Sequence, residues 1–225
     1  MFEAVILAGG KGTRLKSVSG NIPKPMIDIN GKPFLYILMQ QLEMLGCVKI
    51  ILSLGYQSDY IVKRVSEDKP VTCSIEYSIE EFPLGTGGAI KLAANKIESD
   101  KFLVLNGDTY SELDFRDMFN VSSAYDLTIS GIRVEDASRY GTLHIDEYGN
   151  VIGMNEKGIK GGGVVNSGSY VIAKEDILSF PRDVFSFEED YISSINNGFF
   201  AYISDGYFID IGIPEDYYKA CLQIK

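Results

Sequence analysis

The chain has 225 residues, of which 45% are hydrophobic and 23% charged, a composition that argues against disorder and favours one domain over residues 1–225. Acidic residues outnumber basic ones 31 to 21, and the formal net charge of −10 disfavours nucleic acid as a partner. Three scattered cysteines, no signal peptide and no membrane-length apolar run indicate a cytoplasmic protein without a disulfide framework or a membrane partner.

The first half of the chain alternates predicted strands and helices. The strands fall at residues 4–8, 48–54, 73–79 and 102–105, and the helices at 33–46, 57–66 and 87–97. Because the strands at 4–8, 48–54 and 102–105 are apolar on both faces, they predict a buried parallel sheet that helices cover on both sides. In such sheets, ligands bind outside the carboxyl ends of the strands.

The second half is less regular. Strands are predicted at 126–133, 142–146, 151–155, 164–173 and 207–211, a glycine-rich loop at 157–163, and helices at 187–196 and 214–221. The strands at 142–146 and 151–155 flank a Tyr-Gly-Asn turn and predict a hairpin. The simplest architecture is one α/β domain whose sheet becomes mixed in this half.

A glycine-rich segment after the first strand carries the densest chemistry. Residues 7–15 read LAGGKGTRL, and residues 23–26 read PKPM. Glycines let backbone N–H groups approach a phosphate without interference from Cβ atoms, and Lys11, Arg14 and Lys24 add positive charge. Residues 1–32 carry a net charge of +3 and the remainder −13. The pattern therefore predicts a phosphate-binding loop within a basic island.

Other interpretations of this loop compete. It is not a P-loop, because no Gly-Lys-Ser/Thr closes the pattern. It is a poor dinucleotide-binding motif, and hence weak support for a dehydrogenase, because Leu15 stands where a third glycine is expected. An ordinary glycine-rich turn remains open, although Pro23 and Pro25 restrict the backbone around Lys24, which favours a positioned charge.

Two aspartates are candidate ligands for Mg²⁺. Asp108 follows the strand at 102–105, and Asp210 ends the last predicted strand. Carboxylates from two strands, with water and phosphate oxygens, suit this ion. From the residues alone, Asp108 could equally be a turn residue and Asp210 the one polar residue of a strand. The single His144 and the absence of a histidine or cysteine cluster argue against zinc.

Taken together, the motifs resemble those of the sugar-1-phosphate nucleotidyltransferases, and the resemblance covers nearly the whole chain. Gly158 and the Lys16-Ser17-Val18 stretch depart from the common pattern without removing a charged group. The short chain and the stretches at 14–18 and 31–35 look most like the D-glycero-α-D-manno-heptose 1-phosphate guanylyltransferase subgroup. The matching segments are Gly10-Lys11-Gly12-Thr13-Arg14-Leu15, Pro23-Lys24-Pro25, Pro83-Leu84-Gly85-Thr86-Gly87-Gly88-Ala89, Asn106-Gly107-Asp108, Tyr140-Gly141, Asn155-Glu156-Lys157, Asn166-Ser167-Gly168-Ser169-Tyr170 and Asp210-Ile211-Gly212-Ile213-Pro214-Glu215-Asp216-Tyr217.

The resemblance implies a Rossmann-like, GT-A-like three-layer sandwich with a mixed, mainly parallel central sheet. It also implies transfer of a nucleoside monophosphate from a nucleoside triphosphate to a sugar 1-phosphate, with Mg²⁺ as cofactor and release of pyrophosphate. The implied nucleotide-binding residues are Leu7, Ala8, Gly9, Gly10, Gly12, Thr13, Glu80, Glu81, Gly85, Thr86 and Gly87. The implied catalytic residues are Arg14, Lys24 and Asp108, the metal ligands are Asp108 and Asp210, and the sugar-binding residues are Gly141, Glu156, Lys157, Asn166 and Gly168.

The base is the least determined partner. Guanine presents two adjacent donors that one carboxylate can accept together, so Glu80 or Glu81 favours GTP, and the subgroup implies a product of GDP-heptose. A uridylyl- or cytidylyltransferase for another sugar phosphate is the alternative within the same fold. A non-catalytic nucleotide-sugar-binding homologue is the alternative of a different class, which the presence of Arg14, Lys24, Asp108 and Asp210 disfavours. The chain is expected to be a monomer or a homodimer.

Overall fold

The computed structural model describes residues 1–155, 161–195 and 199–224. The strands in this part of the chain are β1 Phe2–Leu7, β2 Asp28–Ile29, β3 Lys32–Pro33, β4 Cys47–Leu54, β5 Ser74–Ile79, β6 Lys101–Asn106, β7 Thr109–Ser111, β8 Leu127–Val134, β9 Thr142–Ile145, β10 Asn150–Asn155, β11 Gly163–Ala173, β12 Phe199–Ser204 and β13 Phe208–Asp210. The α-helices are α1 Lys16–Ser19, α2 Phe34–Met44, α3 Ser58–Asp68, α4 Gly85–Ala94, α5 Phe115–Val121, α6 Lys174–Ser179 and α7 Pro214–Gln223. Short 3₁₀ turns lie at Thr13–Leu15, Lys24–Met26, Ser122–Ala124 and Ile192–Ser194, and a π-helical turn lies at Phe187–Tyr191.

A nine-stranded mixed sheet forms the centre, in the order β5-β4-β1-β6-β11-β8-β12-β10-β9. The four strands from β5 to β6 are parallel, as the apolar runs predict. β11 then enters antiparallel between β6 and β8, β12 pairs parallel with β8, and β10 pairs antiparallel with β12 and β9. The predicted hairpin is therefore confirmed. The central sheet is mixed as expected but is not mainly parallel, because within the described residues four of its nine strand pairings are parallel and five are antiparallel.

Helices cover the sheet on both faces. Side chains of β1 alternate between two apolar clusters, with Ile6 in one and Val5 in the other, and both are fully buried. The first cluster includes Leu38 of α2, and the second includes Ile90 of α4. Each face of β1 thus needs its own helical layer, which explains why this strand is apolar throughout. The described helices are at most eleven residues long, and none of them has the length and apolarity of a membrane span.

Some predicted elements differ in the structure. The helix expected at 187–196 is replaced by the π-helical turn and a 3₁₀ turn, and the buried rings of Phe187 and Tyr191 stack with their centroids 5.1 Å apart. The loop expected at 157–163 lies largely outside the described residues. The strand expected at 207–211 shortens to β13, which pairs with β7 in a separate two-stranded sheet. The sequence patterns also missed α1, β2, β3, β7, α5, α6 and β12.

The buried carboxylate of Glu3 ties β1 to the segment before β6. Its Oε2 accepts hydrogen bonds from the backbone N–H groups of Glu98 and Ser99, at 2.8 and 2.6 Å, and from the Ser99 hydroxyl at 2.7 Å. Burial raises the pKa of Glu3, but the Ser99 and Glu98 hydrogen bonds and the charge of Lys49 outweigh it, so the pKa is lowered overall. The ionised form is therefore stabilised in the folded state.

Glu3→Gln is expected to lower the free energy of unfolding by about 1–3 kcal/mol at pH 7, because it replaces charge-assisted hydrogen bonds with neutral ones. Since the folded pKa of Glu3 is depressed, its contribution is present above the ordinary value of 4.5 and is lost as pH falls through the folded pKa. Urea unfolding at pH 7 and near pH 3 measures both effects. Glu81→Gln is the control, because Glu81 is an exposed glutamate that is not among the contacts of Glu3. An equal difference from wild type at both pH values would contradict the assignment.

Candidate active site

A cleft of about 480 Å³ lies at the carboxyl ends of the neighbouring parallel strands β1 and β6. All the predicted nucleotide-binding residues between Leu7 and Thr13 line it, together with Arg14. Lys24, Glu80, Gly85, Thr86 and Asp108 line it as well. The backbone N–H of Gly107 donates to the Leu7 carbonyl at 2.8 Å, which holds the loop after β6 against the loop after β1.

Gly12 allows the glycine-rich loop to pass over Lys24. Its φ of 57° lies in the left-handed region, and a Cβ at this position would lie 2.7 Å from the Lys24 Cβ. Any side chain would therefore displace the lysine or strain the loop. Lys24 itself begins the 3₁₀ turn after Pro23 and is 8% exposed. The proline-flanked lysine is consequently a buried charge held inside the site.

Lys24 joins the two predicted metal ligands. Its Nζ lies 2.6 Å from Oδ2 of Asp108 and 3.7 Å from Oδ1 of Asp210. The pairing of β13 with β7 sets Asp210 opposite Thr109, which places it beside Asp108. Burial raises the pKa of Asp210, and the negative charge of Asp108 adds to the effect, whereas Lys24 and Arg14 oppose it. The raised pKa therefore reflects, first, the burial of the Asp210 carboxylate and, second, its closeness to the Asp108 carboxylate.

The two carboxylates fit Mg²⁺. Asp210 Oδ1 accepts a hydrogen bond from the Gly212 N–H at 2.7 Å, which fixes the carboxylate, and its Oδ2 has no hydrogen bond within the described part of the chain. Residues 1–155, 161–195 and 199–224 contain no group of three or more candidate metal ligands among histidine, cysteine, aspartate and glutamate. The described protein thus offers two oxygen donors and not a closed cage, which suits an ion that keeps water and phosphate oxygens.

The two adjacent glutamates after β5 differ in position. Glu80 lines the cleft, and its Oε2 accepts a hydrogen bond from the Leu84 N–H at 2.9 Å. Glu81 is exposed and does not line the cleft. The structure therefore brings only Glu80 to the site.

The beginning of α4 is packed against Phe185 and against the first residue of the π-helical turn. Thr86 Oγ1 accepts a hydrogen bond from the Phe187 N–H at 2.9 Å. A Cβ at Gly85 would lie 2.4 Å from the Phe185 carbonyl oxygen, and one at Gly87 would lie 2.2 Å from the Phe185 ring. Gly87 is buried and does not line the cleft. It serves close packing in the structure, whereas Gly85 and Thr86 reach the cleft.

Three of the five predicted sugar-binding residues lie together beside the cleft. The Asn166 N–H donates to the Gly141 carbonyl at 3.0 Å, and the Gly168 N–H donates to Asn166 Oδ1 at 2.9 Å. A Cβ at Gly168 would lie 2.4 Å from Nδ2 of Asn106, which lines the cleft. Gly141, Asn166 and Gly168 thus form one cluster next to the nucleotide loops. Glu156 and Lys157 lie outside the described residues.

The sequence patterns did not identify Glu188 as a candidate site residue, but the structure places it beside Asn166. Its Oε1 accepts hydrogen bonds from Asn166 Nδ2 at 3.0 Å and from the Tyr170 hydroxyl at 2.6 Å. Burial raises the pKa of Tyr170, and the charge of Glu188 adds to it, so the phenol stays protonated and donates. The only sequence signal is the Ser-x-x-Glu pattern from Ser186 to Glu189, which indicates a helical start and says nothing of Asn166.

Known proteins with similar sequences are nucleotidyltransferases. The profile of the nucleotidyl transferase family matches residues 3–225. A D-glycero-alpha-D-manno-heptose 1-phosphate guanylyltransferase of Aneurinibacillus thermoaerophilus is 42% identical, over 99% of this chain and 98% of the relative. Its counterpart in Campylobacter jejuni is 41% identical, over 96% and 97%.

Solved structures agree with these matches. The crystal structure of HddC from Yersinia pseudotuberculosis complexed with GMP-PN has a TM-score of 0.93 and 55% sequence identity, and each chain is covered completely. A putative glucose-1-phosphate thymidylyltransferase from Bacillus anthracis has a TM-score of 0.84 at 19% identity, which shows the shared fold. Because the family profile and the full-length relatives match nearly every residue, the chain belongs to the nucleotidyl transferase family.

Proposed function

We propose that this chain transfers GMP from GTP to D-glycero-α-D-manno-heptose 1-phosphate, releasing pyrophosphate and forming GDP-heptose. The observation that carries the proposal is the buried Lys24 between Asp108 and Asp210, at a glycine-lined cleft of nucleotide size. The names of the two relatives above 40% identity and the nucleotide analogue in the HddC crystal support the choice of guanine and heptose.

The reaction needs no general base. An oxygen of the sugar phosphate attacks the α-phosphorus of GTP, the bond from that phosphorus to the bridging oxygen breaks, and pyrophosphate leaves with the electron pair. A phosphate monoester has a second pKa of about 6, so the nucleophile is largely dianionic near neutral pH. The work left to the protein is to align two polyanions and to offset their charge.

The charged residues divide that work. Lys24 neutralises charge at the α-phosphate or the sugar phosphate, and Arg14, exposed at the cleft, stabilises the departing pyrophosphate. Backbone N–H groups of the glycine-rich loop hold the triphosphate. Asp108 and Asp210 hold Mg²⁺, which when bound supplies Lewis-acid stabilisation of the phosphate oxygens.

The sugar is assigned to the cluster of Gly141, Asn166 and Gly168. Glu188 accepts a hydrogen bond from the Asn166 amide, so this carboxylate lies where it can also accept from sugar hydroxyls. The two glycines let the sugar ring approach the backbone. Glu156 and Lys157 keep their proposed roles as a hydroxyl acceptor and a partner of the sugar phosphate.

The proposed function is tested by pyrophosphate release with Mg²⁺, a panel of nucleoside triphosphates and a panel of sugar 1-phosphates. The highest kcat/KM is expected for GTP with the heptose 1-phosphate. A higher value for UTP or CTP with another sugar would replace the proposed substrates. No release with any pair would favour a non-catalytic binding protein.

Lys24→Ala is expected to lower turnover by about a hundredfold to a thousandfold, because it removes the fixed cation at the reacting phosphates. Circular dichroism and the pyrophosphate assay together separate loss of catalysis from loss of folding. Lys32→Ala is the matched control, since Lys32 is exposed and contacts Gln40. Near-normal turnover in a folded Lys24→Ala protein would contradict the catalytic role proposed for Lys24.

Glu80→Gln is expected to lower kcat/KM for GTP about tenfold to a hundredfold, because an amide cannot accept both guanine donors as a carboxylate does. The glutamine retains an oxygen that can accept from the Leu84 N–H, so the loop is preserved. Glu81→Gln should leave the preference for GTP over UTP unchanged, because Glu81 lies outside the cleft. Equal preferences in wild type and Glu80→Gln would refute base recognition by Glu80.

A further inference from the structure

Strand β11 bulges where it passes Ser130 of β8. Asn166 pairs with Gly131, and Tyr170 is the next residue to pair, with Ile129. Three residues of β11 therefore face Ser130 alone. Bulges of this kind interrupt the ladder and redirect the strand, and they are frequent beside active sites.

The Ser130 hydroxyl makes hydrogen bonds to the β11 backbone where the hydrogen bonds between the two strands are interrupted. It donates to the Ser169 carbonyl at 2.9 Å and accepts from the Ser169 N–H at 3.2 Å. It also lies 2.5 Å from the Ser167 hydroxyl. With Ser167 as the donor of that bond, the one proton and both lone pairs of the Ser130 oxygen are used. Ser130 is fully buried, so water does not compete for these bonds.

The bulge displaces Gly168 towards the cleft. Gly168 adopts a φ of 75°, and a Cβ there would lie 2.4 Å from Asn106 Nδ2. Ser169 still pairs with Leu105 of β6, so the bulge lies directly beside the strand end that leads to Asp108. The Gly168 N–H in turn donates to Asn166 Oδ1. The position of the whole cluster thus depends on how far the bulge extends.

We propose that Ser130 is a positioning residue for the sugar 1-phosphate: its hydroxyl fixes the 167–169 bulge, and the bulge sets Gly168 against Asn106 and within hydrogen-bond distance of Asn166. The inference rests on the proposed function, because it assigns the cluster to the sugar. Ser130 acts through the bulge and does not itself contact substrate.

Thr128 provides a matched control on the same strand. It lies two residues before Ser130, so its side chain is on the same face of β8, and it is also fully buried. Its hydroxyl has no hydrogen-bond partner among the described residues. Thr128→Val therefore removes a buried hydroxyl of β8 without loosening the bulge.

Ser130→Ala is expected to raise KM for the sugar 1-phosphate about tenfold while KM for GTP stays within twofold of wild type. Thr128→Val should change neither value. Amide hydrogen exchange without substrate gives a second readout, in which the Ser169 amide should exchange at least about tenfold faster in Ser130→Ala and at the wild-type rate in Thr128→Val.

The outcomes separate the two proposals. An inactive wild type overturns the proposed function, whereas an active wild type with equal sugar-phosphate KM values in wild type and Ser130→Ala overturns the role of Ser130. Equal exchange rates of the Ser169 amide in wild type and Ser130→Ala also overturn the role of Ser130, and this readout does not depend on which substrates the protein uses. Ser130→Cys keeps the volume with a weaker hydrogen-bonding group and should show an intermediate effect. If neither variant folds, Ser130 is a folding residue only, and the proposal fails.

Discussion

The burial of one ammonium group constrains the whole site. A charge removed from water is tolerated only when it is paired, and Lys24 is paired with carboxylates from two distant segments. Asp108 arrives at the end of a central parallel strand, and Asp210 arrives on a short strand outside the central sheet. Gly12 must lack a side chain for the loop to close over the lysine. The ion pairs therefore link the amino-terminal loop, the middle of the chain and its carboxyl-terminal part.

The change of strand direction at β11 sets two kinds of backbone side by side at the cleft. On the parallel side, the loops after β1 and β6 meet at the edge of the sheet where α/β proteins bind their ligands. On the other side, β11 runs antiparallel to β6 and brings a bulged segment to the same edge. A bulge presents side chains and backbone together, which suits the many hydroxyls of a sugar. By the role proposed above, Ser130 fixes the position of the β11 bulge relative to the loops after β1 and β6.

Packing within the protein explains the glycines at the start of α4 without reference to a ligand. The Phe185 backbone and ring fill the space that side chains at Gly85 and Gly87 would need. This contact fastens the segment before Glu188 to the loop after Glu80, so the residues proposed to bind the base and those proposed to bind the sugar are held by the same contact. A glycine cluster in such a motif can thus reflect packing between two segments as much as contact with a ligand.

The sequence by itself determined the parallel half of the sheet, the glycine-rich loop with Lys24 and the position of Asp108 at a strand end. These features are local, because apolar runs, glycines and prolines act on their own backbone neighbourhood. The tertiary structure alone decided that Glu80 faces the cleft while Glu81 does not, that Glu188 meets Asn166, and that Ser130 faces three residues of β11. Strand register and contacts between distant segments fix these relations, and no pattern along the chain encodes them.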